Sequence, residues 1–350
     1  MLAAETKARV TSTSSPSPRQ EHDVWKGIVE PVKPFLAKVA LQLAAQVDAF
    51  DPEIIPYTRY ALTNQGKQLR PVLVALSGGA TGEMNDDLVT VAVIIEMVHL
   101  ATLVHDDVMD EAAVRRRRPT LAANWGNQIS VLVGDCLFAH AVRLAASFPS
   151  PEVCRAVASA TNTVCSGEIL QSRQTPQLEA SRREYFKVVE MKTAELFALS
   201  CDLGAWLGGA CPAGRQALRD YGLSLGIAYQ IYDDCVDLFG REAAVGKSLG
   251  SDLANGMVTL PILEALERAD KPDQKFLREC IREWDQDYFP RVLEILEKCG
   301  ARNSTREVIG QYLKASRRHL EPIAESPSKQ SLIALTEFLE QMTESLANPG

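Results

Sequence analysis

Apolar residues recur at intervals of three and four along almost the whole chain from Val24 onward. This spacing, as in PFLAKVALQLAAQVDAF (34–50), is typical of helices that bury one face. The segment LRPVLVALSGGA (69–80) predicts a helix that begins near Pro71 and ends at Gly78 and Gly79. The segment DDLVTVAVIIEMVHLATLVHDDVMDE (86–111) predicts a long, mostly apolar helix with acidic residues at both ends.

The helical spacing continues through four further long segments, 129–148, 151–171, 181–209 and 214–240, and on to the C-terminal end. Several of these segments are apolar nearly all round, so they belong inside a bundle. No stretch alternates between apolar and polar residues for long enough to found a sheet. The pattern predicts a single all-α domain over residues 22–350. Residues 1–21 are rich in Ser, Thr, Pro and Ala without the apolar segment of a secretory signal, so we expect a disordered tail. The alternative is a transit-type peptide, although Glu5 interrupts its basic pattern.

Composition narrows the class of protein. A chain of 350 residues with 46% hydrophobic residues can bury a large core, and its net charge of −8 argues against a nucleic-acid binder. Eight cysteines form no CxxC pair, which predicts buried thiols in a reducing compartment, the cytoplasm. The longest apolar run, residues 89–104, is interrupted by Glu96 and His99, and we expect it to be too short for a transmembrane segment.

An acidic cluster follows each of two apolar helical segments with identical spacing. The clusters are Asp106, Asp107 and Asp110, and then Asp233, Asp234 and Asp237. Asp106 and Asp110 lie four residues apart, about 40° around a helix, so their charges repel each other at a helix end that already disfavours carboxylates. One such cluster is as readily a solvated helix end, but two behind buried helices favour a shared function. Ligands with oxygen alone suit Mg²⁺, Ca²⁺ or Mn²⁺ rather than zinc.

Basic residues complete a diphosphate-binding pattern. Mg²⁺ usually takes one or two carboxylates and fills its shell with water and phosphate oxygens, so two acidic clusters suit a diphosphate held through bridging metals. Each basic residue alone is an ordinary surface charge, but together they predict a second anionic group held by Arg and Lys. They are Lys67, Arg70, Arg115, Arg116, Arg117, Arg118, Lys192 and Lys247.

These motifs resemble those of the trans-polyprenyl diphosphate synthases, the head-to-tail isoprenyl transferases. GKQLRP is similar to the family's GGKRLRP, and EMVHLATLVHDDVMDEAAVRRRRPT to its first Asp-rich region. WGNQISVLVGDCLF, GEILQ, MKTAELF, YQIYDDCVDLFG and GKSLGSDLANGMVTLP follow in family order, from about Pro31 to the C-terminal helices. The resemblance implies antiparallel helices around a deep central cavity and a homodimer. Peripheral membrane contact would serve product release.

The resemblance also implies residue roles, carried over by motif position. Three Mg²⁺ ions, replaceable by Mn²⁺, would bind to the two acidic clusters, two at Asp106 and Asp110 and a third at Asp233. Isopentenyl diphosphate would contact Lys67, Arg70, His99 and Arg116. The allylic diphosphate would contact Arg115, Lys192, Gln230 and Lys247, with Thr193 and Gln230 beside the allylic carbon. No histidine is needed as a base, so we expect His105, next to the first cluster, to be structural or to support a neighbouring metal ligand.

The chain departs from the family pattern at four positions. Gln65 replaces the first glycine of GGKRLRP and Gln68 its first arginine, Arg117 replaces the glycine of RRGxPT, and Met257 replaces the lysine of GKxTLP. Met257 removes one potential contact to the allylic diphosphate. None of these changes removes a predicted metal ligand.

Side-chain size predicts a long product. The growing chain leaves water by running into the apolar bundle upstream of Asp106, at about 0.8 kcal/mol per methylene. The residues predicted to line that path are Ala101, Thr102, Val98, Met97 and Ile94. In short-chain members, the positions of Ala101 or Thr102 are commonly aromatic and close the path. Small residues here favour products longer than C15, of roughly C30 to C50, with geranylgeranyl diphosphate (C20) as the alternative.

Two further functions remain open at this point. A class I terpene cyclase would share the first acidic cluster, but its second motif usually reads N/D-D-x-x-S-x-x-x-E, whereas this chain has DDCVD. A non-catalytic or regulatory subunit of a heteromeric synthase would typically lack one cluster, and both clusters are intact here.

Overall fold

The fold is all-α, as the sequence predicts, in a computed structural model that describes residues 18–63, 66–174, 181–240 and 249–346. The first half contains α1 (Pro18–Val29), α2 (Lys33–Ala45), α3 (Ile55–Thr63), α4 (Leu69–Thr81), α5 (Asp86–Met109), α6 (Leu121–Trp125), α7 (Asn127–Ala146) and α8 (Pro151–Gln174). The second half contains α9 (Arg182–Val189), a π-helical turn (Glu190–Ala194), α10 (Glu195–Leu207), α11 (Pro212–Phe239), α12 (Ser251–Ala254), α13 (Leu260–Arg268), α14 (Lys271–Arg282), α15 (Phe289–Lys298), α16 (Ala301–His319) and α17 (Pro327–Ser345).

Short elements join these helices. Turns of 3-10 helix cover Glu30–Val32, Gln46–Ala49 and Gln286–Tyr288. A small hairpin follows α5, in which β1 (Val114–Arg115) pairs antiparallel with β2 (Arg118–Pro119). Helix α1 begins at Pro18, so the last four residues of the predicted tail lie in this helix. Residues 1–17 lie outside the described part of the chain, and disorder of the tail stays a prediction.

Helix α5 lies at the centre of the main hydrophobic core and packs against α2, α4, α7 and α10. Asn85 begins it by accepting a hydrogen bond from the Leu88 N–H, and Asp86 and Asp87 favour its N-terminal end electrostatically. Nearly every residue from Leu88 to Met97 is buried. A second, smaller core lies among the C-terminal end of α11 and helices α12 to α16.

Helix α4 corrects one sequence-based boundary. It does not end at Gly78 and Gly79 but continues to Thr81, and Gly82 is its C-terminal cap. The glycines serve close packing, because a Cβ added to Gly78 would lie 2.7 Å from Leu88 Cδ1. A Cβ on Gly204 of α10 would lie 2.6 Å from the Val74 carbonyl oxygen, so the missing side chains let α4 and α10 approach each other.

Two other expectations need correction. All eight cysteines are free thiols, but Cys165 and Cys211 are exposed rather than buried. The apolar run around Glu96 is part of a 24-residue helix, so its length does not exclude a membrane span. By length and composition alone, α5 and α7 could each cross a bilayer. The two helices differ in burial. Inside the protein, 72% of the apolar 18-residue stretch of α5 is buried, but only 39% of the corresponding stretch of α7.

Candidate active site

A cavity of about 470 Å³ brings most of the predicted site residues together. Its walls come from α4, α5, the hairpin, α8, α9, the π-helical turn, α10, α11 and the segment around α12. The predicted residues that line it are Arg70, His99, Thr102, Asp106, Asp110, Arg115, Arg116, Lys192, Thr193, Gln230, Asp233 and Asp234. Lys67 lies outside the lining, with its Nζ 6.0 Å from the ring centre of Phe338 on α17. Lys247 lies outside the described residues.

The three acids of the first cluster have different surroundings because they project from different sides of the end of α5. Asp106 and Asp110 both line the cavity at the C-terminal end of α5. Burial raises the pKa of Asp106 to about 7, and the carboxylates of Glu168 and Asp110 add to this, while Lys192 and Arg115 oppose it. Asp106 and Asp110 both present carboxylate oxygens to the cavity from one end of α5. The oxygen donors present therefore fit a hard divalent metal such as Mg²⁺.

Asp107 has a different partner. Only 6% of it is exposed, and its Oδ1 accepts a hydrogen bond from Arg115 Nε at 2.5 Å. Burial raises the pKa of Asp107, and the Arg115 guanidinium opposes that rise. Asp107 does not line the cavity. The geometry therefore favours Asp106 and Asp110 over Asp107 as metal ligands, and makes Asp107 the anchor of the hairpin.

The hairpin gives the four consecutive arginines different environments. Arg115 binds Asp107, and Arg116 lines the cavity. Arg118 lies 4.4 Å from the ring centre of Tyr60, as a cation–π contact, while Arg117 is exposed. Arg116 and Arg117 form the two-residue turn with φ angles of +51° and +61°. A turn with two left-handed residues matches strand twist but favours glycine, which is the family's residue at position 117.

The second acidic cluster is divided as well. Asp233 and Asp234 line the cavity. Asp237 does not, because its Oδ1 accepts from Ser251 Oγ at 2.6 Å and its Oδ2 from the Asp252 N–H at 3.0 Å. Asp237 thus fixes the start of α12. Burial raises the pKa of Asp234 to about 7, and both of its oxygens accept hydrogen bonds from protein side chains. The geometry favours Asp233 as the metal ligand of this cluster.

One end of the cavity collects cationic and neutral donors. Arg70, His99 and Arg116 lie there, and Gly66 leaves room for Arg116, since a Cβ at Gly66 would lie 2.5 Å from Arg116 Nη2. Burial and the three neighbouring arginines hold the pKa of His99 well below its usual value, so its imidazole is neutral. Burial lowers the pKa of Arg70, and Glu96, which is buried beneath these residues, opposes that lowering.

Sequence reasoning missed several residues of the cavity wall. Lys192 Nζ donates to Glu168 Oε1 and Gln171 Oε1, both at 2.7 Å. Gln171 Nε2 also lies 3.2 Å from Met257 Sδ, the position where the family has lysine. The spacing of Glu168 and Gln171, three residues apart on α8, was the available signal. Tyr185, Tyr229 and Asp252 were also missed.

A second, mainly apolar cavity of about 480 Å³ adjoins the first. The two cavities share Thr102, Asp106, Val164 and Glu168. The other lining residues of the second cavity are His105, Val108, Met109, Val131, Phe138, Cys165, Ile169, Ser172 and Arg173. His105 fits a structural position there, since its Nε2 lies 3.1 Å from the Val131 carbonyl oxygen.

The residues predicted to control chain length fall into two groups. Thr102 lines both cavities. Ala101, Val98, Met97 and Ile94 are fully buried in the core and line neither cavity. A chain-length role for this second group stays a prediction.

Comparisons with known proteins identify the family. The polyprenyl synthetase family model matches residues 52–296. The chain is 32% identical to the short chain isoprenyl diphosphate synthase of Methanothermobacter thermautotrophicus, over 85% of this chain and 93% of that one. It is 34% identical to the octaprenyl diphosphate synthase of Haemophilus influenzae, over 86% and 92%. The crystal structure of a Caulobacter crescentus polyprenyl synthase, complexed with calcium and isoprenyl diphosphate, matches at 32% identity with a TM-score of 0.85, over 91% and 97%. This chain therefore belongs to the polyprenyl synthetase family and is a prenyltransferase.

Proposed function

We propose that this protein condenses isopentenyl diphosphate with an allylic diphosphate and releases pyrophosphate, giving an all-trans polyprenyl diphosphate longer than C15. One observation carries the proposal. Carboxylates from two helices and a group of cations line one cavity, and a mainly apolar cavity adjoins it as an extension. The carboxylates suit a metal-bound diphosphate, the cations suit a second diphosphate, and the apolar extension suits a hydrocarbon chain.

The metal site rests on carboxylate oxygens. Asp106, Asp110 and Asp233 would hold Mg²⁺, up to three ions, and Mn²⁺ would substitute for it. When bound, the metal supplies positive charge against the departing pyrophosphate. The calcium named for the Caulobacter crescentus relative, another cation that prefers oxygen ligands, supports this assignment.

The chain's own cations bind and orient the two diphosphates. Lys192, held by Glu168 and Gln171, lies beside Asp106 and faces the allylic diphosphate together with Arg115. Arg70, Arg116 and neutral His99 hold isopentenyl diphosphate at the other end. Fixing both substrates makes the encounter effectively unimolecular. The allylic C–O bond breaks, the isopentenyl double bond attacks the resulting cation, and released pyrophosphate takes the proton that is lost.

Product length depends on the junction at Thr102. A product that extends past Thr102 enters the second cavity and leaves water among its apolar side chains. Thr102 is small and lines both cavities, which supports a product of roughly C30 to C50. The named relatives include both short-chain and octaprenyl synthases, so geranylgeranyl diphosphate remains the alternative.

The assembly that we propose is a cytoplasmic homodimer, with peripheral membrane contact for release of long products. Exposed apolar side chains on α7 support an interface between two copies, with Leu132 53% and Val142 37% exposed. If light scattering at micromolar concentration showed a monomer, the proposed homodimer would be excluded.

The test of product length uses the purified chain, isopentenyl diphosphate, an allylic primer and Mg²⁺. Products are dephosphorylated and separated by reversed-phase chromatography. We expect products longer than C15, and a shift towards C15 for Thr102→Phe, which narrows the junction, with Thr102→Ser as the matched control. Ala101→Phe tests whether the product instead follows the path through the core that the sequence predicts, past Ala101, Val98 and Met97. Products no longer than C15 from the unmodified chain would contradict the proposal.

A further inference from the structure

The second strand of the hairpin that follows α5 is held by one side chain of α3. Tyr60 OH donates a hydrogen bond to the Pro119 carbonyl oxygen at 2.7 Å. The guanidinium carbon of Arg118 lies 4.4 Å from the centre of the Tyr60 ring. Both contacts are made to β2, whereas Asp107 binds Arg115 of β1. The hairpin therefore has one anchor on each of its strands.

Tyr60 is itself held in place by a tryptophan of α6. Its ring meets the Trp125 ring edge-on, with ring centres 5.0 Å apart and an interplanar angle of 82°. Tyr57, one turn earlier on α3, meets the same tryptophan edge-on at 5.3 Å. Thr120, which directly follows β2, caps the start of α6 by accepting a hydrogen bond from the Ala123 N–H at 3.0 Å. The contact between α3 and α6 therefore fixes a stiff aromatic side chain beside the base of the hairpin.

The turn between the two strands needs anchors of this kind. Arg116 and Arg117 have φ angles of +51° and +61°, a left-handed conformation that is disfavoured for a residue with a side chain. Such a conformation persists where the surrounding structure fixes it. Arg116 lines the first cavity, and its Nη2 lies 2.5 Å from where a Cβ on Gly66 would be. The position of this guanidinium therefore depends on the turn keeping its conformation.

We propose that Tyr60 is a positioning residue for Arg116: by holding Pro119 and Arg118, it keeps the turn in the conformation that directs the Arg116 guanidinium into the cavity end where isopentenyl diphosphate binds. This inference rests on the proposed function. Tyr60 does not line the cavity, so it acts through the hairpin and not by contact with a substrate. Without its second anchor, the turn spends part of its time in other conformations, and the apparent affinity for isopentenyl diphosphate falls by that fraction.

The test compares the purified full-length wild-type chain with Tyr60→Phe, which keeps the ring and removes the hydroxyl. Tyr57→Phe is the matched control, because Tyr57 packs on the same Trp125 and its hydroxyl makes no hydrogen bond to the hairpin within the described residues. Tyr60→Phe is also combined with Arg116→Ala and, separately, with Arg117→Gly. The measured quantities are kcat, the KM for each substrate and the Tm of every variant.

Loss of the hydrogen bond should raise the KM for isopentenyl diphosphate about fivefold in Tyr60→Phe, with kcat and the allylic KM within about twofold. Tyr57→Phe should keep all three at wild-type values. In the Arg116→Ala background, Tyr60→Phe should leave the isopentenyl KM unchanged, because the side chain that it positions is gone. Arg117→Gly should return the KM of Tyr60→Phe towards the wild-type value, because glycine adopts the left-handed turn readily without the anchor.

An unchanged isopentenyl KM in Tyr60→Phe, or the same rise with and without the Arg116 side chain, would overturn the inference and leave the proposed function standing. The inference would also be wrong if both KM values rose together as the Tm fell, since a merely structural role gives that result. A wild-type chain that consumed no isopentenyl diphosphate with an allylic primer and Mg²⁺ would overturn the proposed function, and the inference with it.

Discussion

Arg115 donates its Nε–H to Oδ1 of Asp107 across 2.5 Å and so joins the arginine run to the first acidic cluster. This contact explains why charges of both signs follow a buried helix. Arg115 pairs with Asp107, the acid of this cluster that does not line the cavity. The hairpin that carries it then places Arg116 among the cavity residues, while Asp106 and Asp110 remain on the cavity wall.

The first prediction separates a metal ligand from a hairpin anchor. Asp106→Asn removes a negative oxygen from the proposed metal site, so we expect kcat to fall by about 10³, which corresponds to roughly 4 kcal/mol of lost stabilisation. Asp107→Asn keeps the side-chain shape and should lower kcat less than tenfold. Steady-state rates at saturating Mg²⁺ measure both, and equal losses would show that the two acids share one role.

The second prediction concerns the isopentenyl site. Arg116→Ala removes a cation from the cavity end that holds Arg70 and His99, so the KM for isopentenyl diphosphate should rise at least tenfold, with the allylic KM within about twofold. Arg117→Ala removes the same charge from the exposed neighbouring position and serves as the control. If both variants raised the isopentenyl KM alike, long-range charge rather than contact would explain the effect.

The third prediction concerns backbone strain at Arg117. A residue with a side chain pays about 1–2 kcal/mol in the left-handed conformation, partly offset by the greater freedom of glycine in the unfolded chain. Arg117, at φ +61°, should therefore gain roughly 1 kcal/mol of stability on substitution by glycine. Arg117→Ala loses the charge but keeps the strain, so it should not gain. Chemical denaturation measures the difference, and equal stability of the two variants would refute the strain.

The fourth prediction follows from the buried carboxylate of Asp106. Its pKa is about 7 in the folded chain and returns to about 3.8 on unfolding. The stability that this group contributes is therefore full below about pH 4 and is lost as the pH rises through about 7. Mg²⁺ binds the deprotonated form, so the rise in Tm on adding Mg²⁺ should be larger at pH 8 than at pH 6. Asp106→Asn should reduce that difference and Asp107→Asn should retain it. A Mg²⁺ effect independent of pH would contradict the assignment.

The helices could be predicted from the sequence because the three-and-four spacing of buried residues is a local property. The end of α4 could not, because Gly78 and Gly79 favour the end of an isolated helix, whereas in the fold they allow close packing, Gly78 against Gly204 of α10 and Gly79 against Ser328 of α17. Whether a glycine ends a helix or packs against one depends on a contact between residues more than a hundred positions apart.

The candidate site was predictable in composition but not in the role of each acid. Helical spacing placed Asp106 and Asp110 on one face, and both line the cavity. The same spacing could not show that Tyr185 would reach Asp234 or that Ser251 would reach Asp237, since those partners come from other helices. Lys67 was expected in the site from its position in the motif GKQLRP, but it lies outside the cavity lining, near Phe338 of α17.

The most direct test of the account is pyrophosphate release by the purified chain alone, measured with and without each substrate in the presence of Mg²⁺. A polyprenyl diphosphate synthase should release one pyrophosphate for each isopentenyl diphosphate consumed, and none when either substrate is omitted. Release from the allylic substrate alone at a comparable rate would point to a terpene cyclase. No release with both substrates present would point to a subunit that needs a partner, and either result would contradict the central claim.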